Sequence, residues 1–291
     1  MKYFTKEWYG LCQKTSLHLL LEEAKEAETF SEEYFQQLYD KKLNEWLTLQ
    51  QEIASVSFND LLPDETENID ESLSDEDKAS REAYQLKWET AKVNYNLLEP
   101  FNREKECEQF HKAFIYRQQD AQKKLPQEIL KKIADLRVFV FDKASRLVIE
   151  DVTRFCEENR RLVEATRKEY GKYYENELKS FDKNIIDNIH FHYCDIKKME
   201  ENEKSLTITF DNPGFFTDIE EMKLENFRII KQDALLEDAW WLYEEIYIID
   251  GKYELHALLQ DKSLGLIEFT VLAENILFKK NGNNSKCIRC L

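Results

Sequence analysis

The stretch YEEIYIIDGKYELHALL, Tyr243 to Leu259, decides the fold. Two runs of β-prone residues flank Asp250-Gly251, a dipeptide that tolerates the positive φ angles of a two-residue type I′ turn, so the segment reads as a β-hairpin. A two-residue loop pairs Ile249 with Lys252 and therefore Glu245 with His256. Alternation then gives the hairpin two faces. Leu242, Ile246 and Ile248 oppose Tyr253, Leu255 and Leu259 on an apolar side, and Tyr243, Glu245 and Tyr247 share the other with Glu254, His256 and Leu258. Glu244 falls on the apolar side, where a carboxylate sits beyond the core's edge, is paired, or has a pKa raised by desolvation that suits acid/base work.

The same period of two extends outward from the hairpin. Leu206, Ile208 and Phe210 alternate in Ser205 to Phe210, followed by the turn chemistry of Asn212-Pro-Gly214. Further strands are expected near 189–198, 221–230 and 264–272, completing a mainly antiparallel β domain over 185–278. The polar residues 279–291 read as a flexible tail.

Before residue 180 the period is helical. Tyr34, Leu38, Leu43, Trp46, Leu47 and Ile53 form a stripe entered through Ser31, predicting a helix over 31–55. Ser74 and Asp77 have capping-box spacing, and Tyr84, Trp88, Ala91 and Tyr95 share the face of a second helix reaching about Leu98. Pro100 and Pro126 bracket a third, Arg103 to Lys124. Leu136 to Phe141 suits either a buried strand or a buried helical turn, and is read as helix because Val148, Val152, Phe155, Leu162, Thr166, Tyr170 and Tyr173 continue at helical spacing towards Leu178. The fold class is therefore α+β: a helical N-terminal domain, 1–180, followed by a smaller antiparallel β-sheet domain.

The 291 residues carry 41 Lys and Arg against 58 Asp and Glu, a net charge of −17. Such a field opposes binding to nucleic acid phosphates or anionic lipid, so neither is an expected partner. Residues 59–78 hold nine acids and one lysine, which makes the rest of the first 180 residues close to neutral. This run is an acidic, solvated linker, with docking of a basic partner as the alternative reading. A nucleic-acid mimic ranks last, because the helices lack an acidic stripe. No run approaches the roughly 18 apolar residues of a membrane span. The opening MKYFTKEWYG has a Glu where a signal peptide is apolar, so the expected location is the cytoplasm, with Cys12, Cys107, Cys156, Cys194, Cys287 and Cys290 as free thiols.

Candidate chemistry is sparse. His190 and His192 lie two apart, so on a strand both rings face one way, and with Glu245 and His256 they would supply four metal ligands. Cys287-Ile-Arg-Cys290 has C-x-x-C spacing without the second ligand pair of a zinc site or the strand and helix of a redox motif. His18 and His111 sit in helical patterns with no nucleophile arrangement, and no glycine-rich phosphate loop, H-E-x-x-H or G-x-S-x-G occurs, so no cofactor is expected. Trp240, Trp241, Tyr243 and Tyr247 concentrate aromatic surface around the hairpin, suited to core packing or to a partner surface.

Four segments, MKYFTKEWY, LPQEILKKIADLRV, DAWWLYEEIY and YELHALL, together resemble a family of uncharacterised bacterial proteins carrying a domain of unknown function, over Met1 to about Phe278. That family brings no catalytic residues to carry over. FHYCDI, residues 191–196, is similar to the opening of small β-rich modules of toxin-immunity proteins, whose motif places His directly before Asp; here Tyr193 and Cys194 intervene between His192 and Asp195. The functional expectation is a non-catalytic, immunity-like protein that recognises another, basic protein through Asp75, Glu76 and Asp77 of the linker and through Trp240, Trp241, Tyr243 and Tyr247. The alternative is a metal-dependent enzyme using His190, His192, Glu245 and His256.

Overall fold

A computed structural model describes residues 1–58, 89, 92, 93, 95, 100–211 and 217–280. The acidic run 59–78, nearly all of the second helix, the Asn212-Pro-Gly214 turn and the C-x-x-C pair lie outside the described residues. The chain divides into two compact units, Ser16–Cys156 and Met1–Thr15 together with Glu157–Leu291. The change of period near 185 thus marks a change of secondary structure, and the units divide elsewhere.

The first unit is helical. Ser31 accepts a hydrogen bond from the Tyr34 amide at 3.2 Å and starts the helix Glu32–Ser55. Asn102 does the same for Lys105, starting Arg103–Lys124. Short turns Gln127–Leu130 and Leu136–Phe139 follow, so the ambiguous segment is helical as read. They present Ile129, Val138, Phe139 and Phe141 to a core with Phe35, Phe110, Phe114, Val148 and Val152, in which the Phe114 and Phe141 rings stack at 5.0 Å. A two-residue parallel pair, β1 (Glu22–Glu23) with β2 (Lys143–Ala144), is the one piece of pleated structure here among the described residues, and is too short to leave a periodic signal.

Helix Arg146–Glu177 belongs to the first unit up to Cys156 and to the second beyond it. The second unit is built on an eight-stranded antiparallel sheet in the order β10-β5-β4-β3-β7-β8-β9-β6. Its strands are β3 (Asp195–Glu201), β4 (Ser205–Asp211), β5 (Ile219–Glu225), β6 (Arg228–Gln232), β7 (Trp240–Ile249), β8 (Lys252–Gln260), β9 (Leu266–Ala273) and β10 (Asn275–Lys280). Buried residues from both ends, including Leu206, Ile208, Met222 and Ile276 with Leu255, Leu259, Phe269 and Val271, form one core. The α+β class stands.

The hairpin register is as the loop length dictates: Ile249 faces Lys252 and Glu245 faces His256, with Asp250 at φ 51° and Gly251 at φ 76°. One detail differs. The register shifts between Trp241 and Tyr243, so Leu242 is the extra residue of a β-bulge and Trp241, opposite Leu259, takes the core position expected of Leu242.

Three other expectations are corrected. The strand expected at 189–198 begins only at Asp195; a short helix, Lys183–Asn188, precedes it, and Tyr193 at φ 68° turns the chain. The expected 221–230 strand is two strands that do not adjoin, broken at Asn226 with φ 48°: β5 pairs with β4 and β10, β6 with β9. Lys279 and Lys280, assigned to the tail, end β10, where they pair with Glu221 at 2.6 Å and Asp218 at 2.9 Å. Lysines suit this edge strand because they discourage further strand pairing.

The bulge makes adjacent tryptophans unequal, since Trp241 is fully buried and Trp240 is 43% exposed. Trp241→Ala should cost about 3–5 kcal/mol of stability in urea denaturation, and Trp240→Ala within about 0.5 kcal/mol. Equal costs would contradict the bulged register.

Candidate functional site

The polar face of the hairpin carries the most constrained side chain. Glu245 is fully buried. Its Oε2 accepts from the Lys2 amide at 2.7 Å and from the Tyr247 hydroxyl at 2.6 Å; its Oε1 accepts from the Tyr3 amide at 2.8 Å and the Phe4 amide at 2.5 Å. Four donors on one carboxylate satisfy it internally, as a buried charge requires. Burial and the bond to Glu245 push the Tyr247 phenol far above its ordinary range. Across the ladder, His256 Nε2 lies 2.7 Å from Glu254 and Nδ1 3.5 Å from the Thr270 hydroxyl. Burial lowers its pKa against the opposing pull of Glu254, which favours a neutral ring.

His190 and His192 lie elsewhere, in the connection that follows helix Lys183–Asn188. Beyond Trp240 the pairing of β3 with β7 stops, since Asp195 to Trp240 is their only ladder pair. Side chains serve the opened edge of β7: His192 Nδ1 bonds the Leu242 carbonyl, and the Ile246 amide donates to the Tyr170 hydroxyl at 3.4 Å. A carbonyl only accepts, so His192 carries its proton on Nδ1. Along this edge runs a groove of about 260 Å³, whose lining includes Arg167, Tyr170, Tyr174, His190, His192 and Glu244. Glu244 receives the Trp241 indole N–H on Oε2 at 2.8 Å and holds His190 Nδ1 3.6 Å from Oε1. The carboxylate raises the pKa of His190, outweighing partial burial. Glu244 is thus paired, one of the states its position on the apolar side implied.

The four residues expected as metal ligands are therefore divided, His190 and His192 at the groove and Glu245 and His256 in internal hydrogen bonds. Among the described residues no three His, Cys, Asp or Glu side chains gather to hold a metal ion. The expected alternation of His190 and His192 fails because the segment is not a strand.

The aromatic concentration is likewise divided. Trp241 and Tyr247 are buried within the fold. Tyr243 is half-buried, edge-on to Trp8 at 4.9 Å and 5.1 Å from His192. Trp240 is exposed and stands 5.8 Å from the exposed ring of Tyr193. It borders a second cleft of about 510 Å³, lined by Asp195, Asp211, Asp238, Asp261 and Lys262 among others. Asp195 has its pKa raised by burial first and then by Asp211 and Asp238. Asp238 pairs with Lys262 at 2.9 Å, and Asp261 accepts from the amides of Ser263 and Gly265. Asp75, Glu76 and Asp77 lie outside the described residues.

Arg167, Tyr170, Tyr174 and the four aspartates were not legible as site residues. The helical residues follow a stripe indistinguishable from core packing, and the aspartates are spread along an acidic chain, two at strand ends and two in connections.

Residues 116–273 match a family described as protein of unknown function, DUF4085. The chain belongs to the DUF4085 family. The matched region includes the groove residues from Arg167 to Ile246 and the Trp240 cleft; the segment Met1 to Phe4 that binds Glu245 precedes it. No curated protein and no solved structure matches the chain. No helix among the described residues of this DUF4085 protein is long and apolar enough to cross a membrane.

Glu245→Gln places an amide N–H₂ against backbone donors, and should cost about 2–4 kcal/mol by leaving buried donors unpaired. Hydrogen exchange at Tyr3 and Phe4 should quicken in parallel; unchanged stability would mean that the amides find other partners. The His190 pair gives a smaller, pH-dependent effect. Because its folded pKa is raised, its contribution is present below the unfolded value near 6.5 and lost as pH rises through the folded value. His190 is 66% exposed, so the stability difference between wild type and His190→Gln should be only a few tenths of a kcal/mol at about pH 5.5, vanishing by about pH 9. A difference that grows with pH would reverse the assignment.

Proposed function

We propose that this protein is a non-catalytic binding protein that recognises a basic segment of another protein at the Trp240 cleft. The observation that carries the reading is the juxtaposition of an exposed indole and the Tyr193 ring with Asp195, Asp211, Asp238 and Asp261. A lysine or arginine side chain gains from both partners, stacking its cation on an aromatic face while carboxylates receive its N–H groups. The net charge of −17 adds long-range steering of a basic partner. A basic toxin held inactive in a bacterial cytoplasm, in the manner of an immunity protein, has the required chemistry. The linker acids at Asp75, Glu76 and Asp77 would extend the same attraction.

Nona-arginine is a suitable probe, titrated calorimetrically at about 50 and about 300 mM salt, since screening shortens the reach of exposed charges. Asp195→Asn with Asp211→Asn should weaken binding about tenfold. Glu33→Gln with Glu164→Gln removes the same charge at other exposed positions and should weaken it less than about threefold. Trp240→Ala should lower affinity without loss of stability. Equal losses from both charge-removing pairs would reduce the interaction to net charge and remove the cleft from the proposal.

A further inference from the structure

The groove beside β7 has features that its structural duties leave unused. Arg167 has no carboxylate within ion-pair distance among the described residues, although the chain holds 58 acids. Its guanidinium carbon lies 5.5 Å from the Trp8 ring and its side chain hydrogen-bonds that of Tyr243, contacts that orient the cation without neutralising it. The Tyr174 hydroxyl oxygen, in the same groove lining, is buried and has no hydrogen-bond partner among the described residues. Buried polar atoms are nearly always satisfied, so such a hydroxyl marks a place where a partner fits. The carboxylate in the groove is already engaged, since Glu244 accepts the Trp241 indole N–H and lies 3.6 Å from His190. Phe4 lies edge-on to Tyr170 at 4.8 Å and 5.6 Å from Tyr243, giving walls that accept a flat ring in edge or offset contact. A volume of about 260 Å³ falls below the usual range for drug-sized ligands, roughly 300–1,000 Å³, and suits a single ring with one polar substituent.

We propose that this groove is a binding site for a small aromatic carboxylate, with the acid group on Arg167, a polar ring substituent at the Tyr174 hydroxyl, and the ring against the wall formed by Phe4, Tyr170 and Tyr243. The site is separate from the Trp240 cleft and does not depend on the protein-binding reading. Binding is reversible and involves no covalent step.

4-Hydroxybenzoate is the probe, titrated into the full chain by calorimetry, with its methyl ester as the neutral isostere. The acid should bind saturably with a Kd below about 1 mM, and the ester about tenfold more weakly. Arg167→Gln should lose about tenfold in affinity for the acid. Tyr174→Phe guards against a folding artefact: removal of an unpaired buried hydroxyl should leave the Tm equal or higher while weakening the acid severalfold. Absence of saturable binding, equal affinity for acid and ester, or unchanged affinity in both variants would overturn the proposal. A Tyr174→Phe protein with lower Tm and unchanged affinity would overturn the role of the hydroxyl, showing that an internal partner satisfies it.

Discussion

The buried carboxylate of Glu245 is the constraint on which the second unit depends. A charge removed from water is strongly unfavourable unless donors replace its hydration, and here three consecutive backbone amides and a phenol do so. The amides belong to Lys2, Tyr3 and Phe4, more than 240 residues away in sequence. Satisfying one side chain therefore fixes the opening of the chain against β7. That placement has consequences downstream. Phe4 is set beside Tyr170, Trp8 and Tyr243, and Trp8 donates its indole N–H to the Val163 carbonyl at 3.3 Å. The wall of the groove is a product of the same anchoring.

A second determinant is the bulge at Leu242. A sheet alternates faces without interruption, and one extra residue reverses which side chains lie inward from that point on. Here it turns Trp241 into the core, where Phe191 and Phe210 pack on its ring at 5.2 and 5.7 Å, and leaves Trp240 outside. Its indole N–H reaches Glu244 three residues on, so the bulge also supplies the donor that secures the carboxylate of the His190 pair. Without the extra residue, Trp241 would share a face with Glu245 and the core would lose its largest side chain.

Legibility in the sequence follows from how local each determinant is. The hairpin register was readable because Asp250-Gly251 fixes loop length, and loop length fixes every pair beyond it. The helix at 32–55 was readable because Ser31 caps it and an apolar stripe follows, and that at 103–124 because Pro100 and Pro126 bracket it. The bulge was not, since nothing in Trp-Trp-Leu-Tyr distinguishes an extra residue from regular alternation. His190 and His192 looked alternating because a short helix and a positive-φ tyrosine leave the same spacing as a strand. The partners of Glu245 were invisible in principle: backbone amides carry no side-chain signal, so a Glu on a sheet face reads as solvated or as a potential ligand. Arg167 and Tyr174 follow helical periodicity, and only tertiary contacts separate a lining residue from a packed one.

The segment His190 to Asp195 connects these observations. Its members serve three different neighbours: His190 and His192 line the groove, Phe191 and Cys194 enter the core, and Asp195 lines the acidic cleft with Tyr193 beside the cleft's Trp240. The main chain is held by bonds from the Tyr193 amide to the Trp241 carbonyl and from the Trp241 amide to the Cys194 carbonyl, at 3.0 and 2.8 Å. Burial pushes the Cys194 thiol up to about 12, so it stays a neutral apolar filler. A strand in this position would have continued the ladder with β7 and closed the edge. The turn at Tyr193 instead ends the ladder at one pair, and the gap that results leaves two concave surfaces of opposite chemical character beside the sheet, one centred on an arginine and tyrosines and the other on aspartates and an indole.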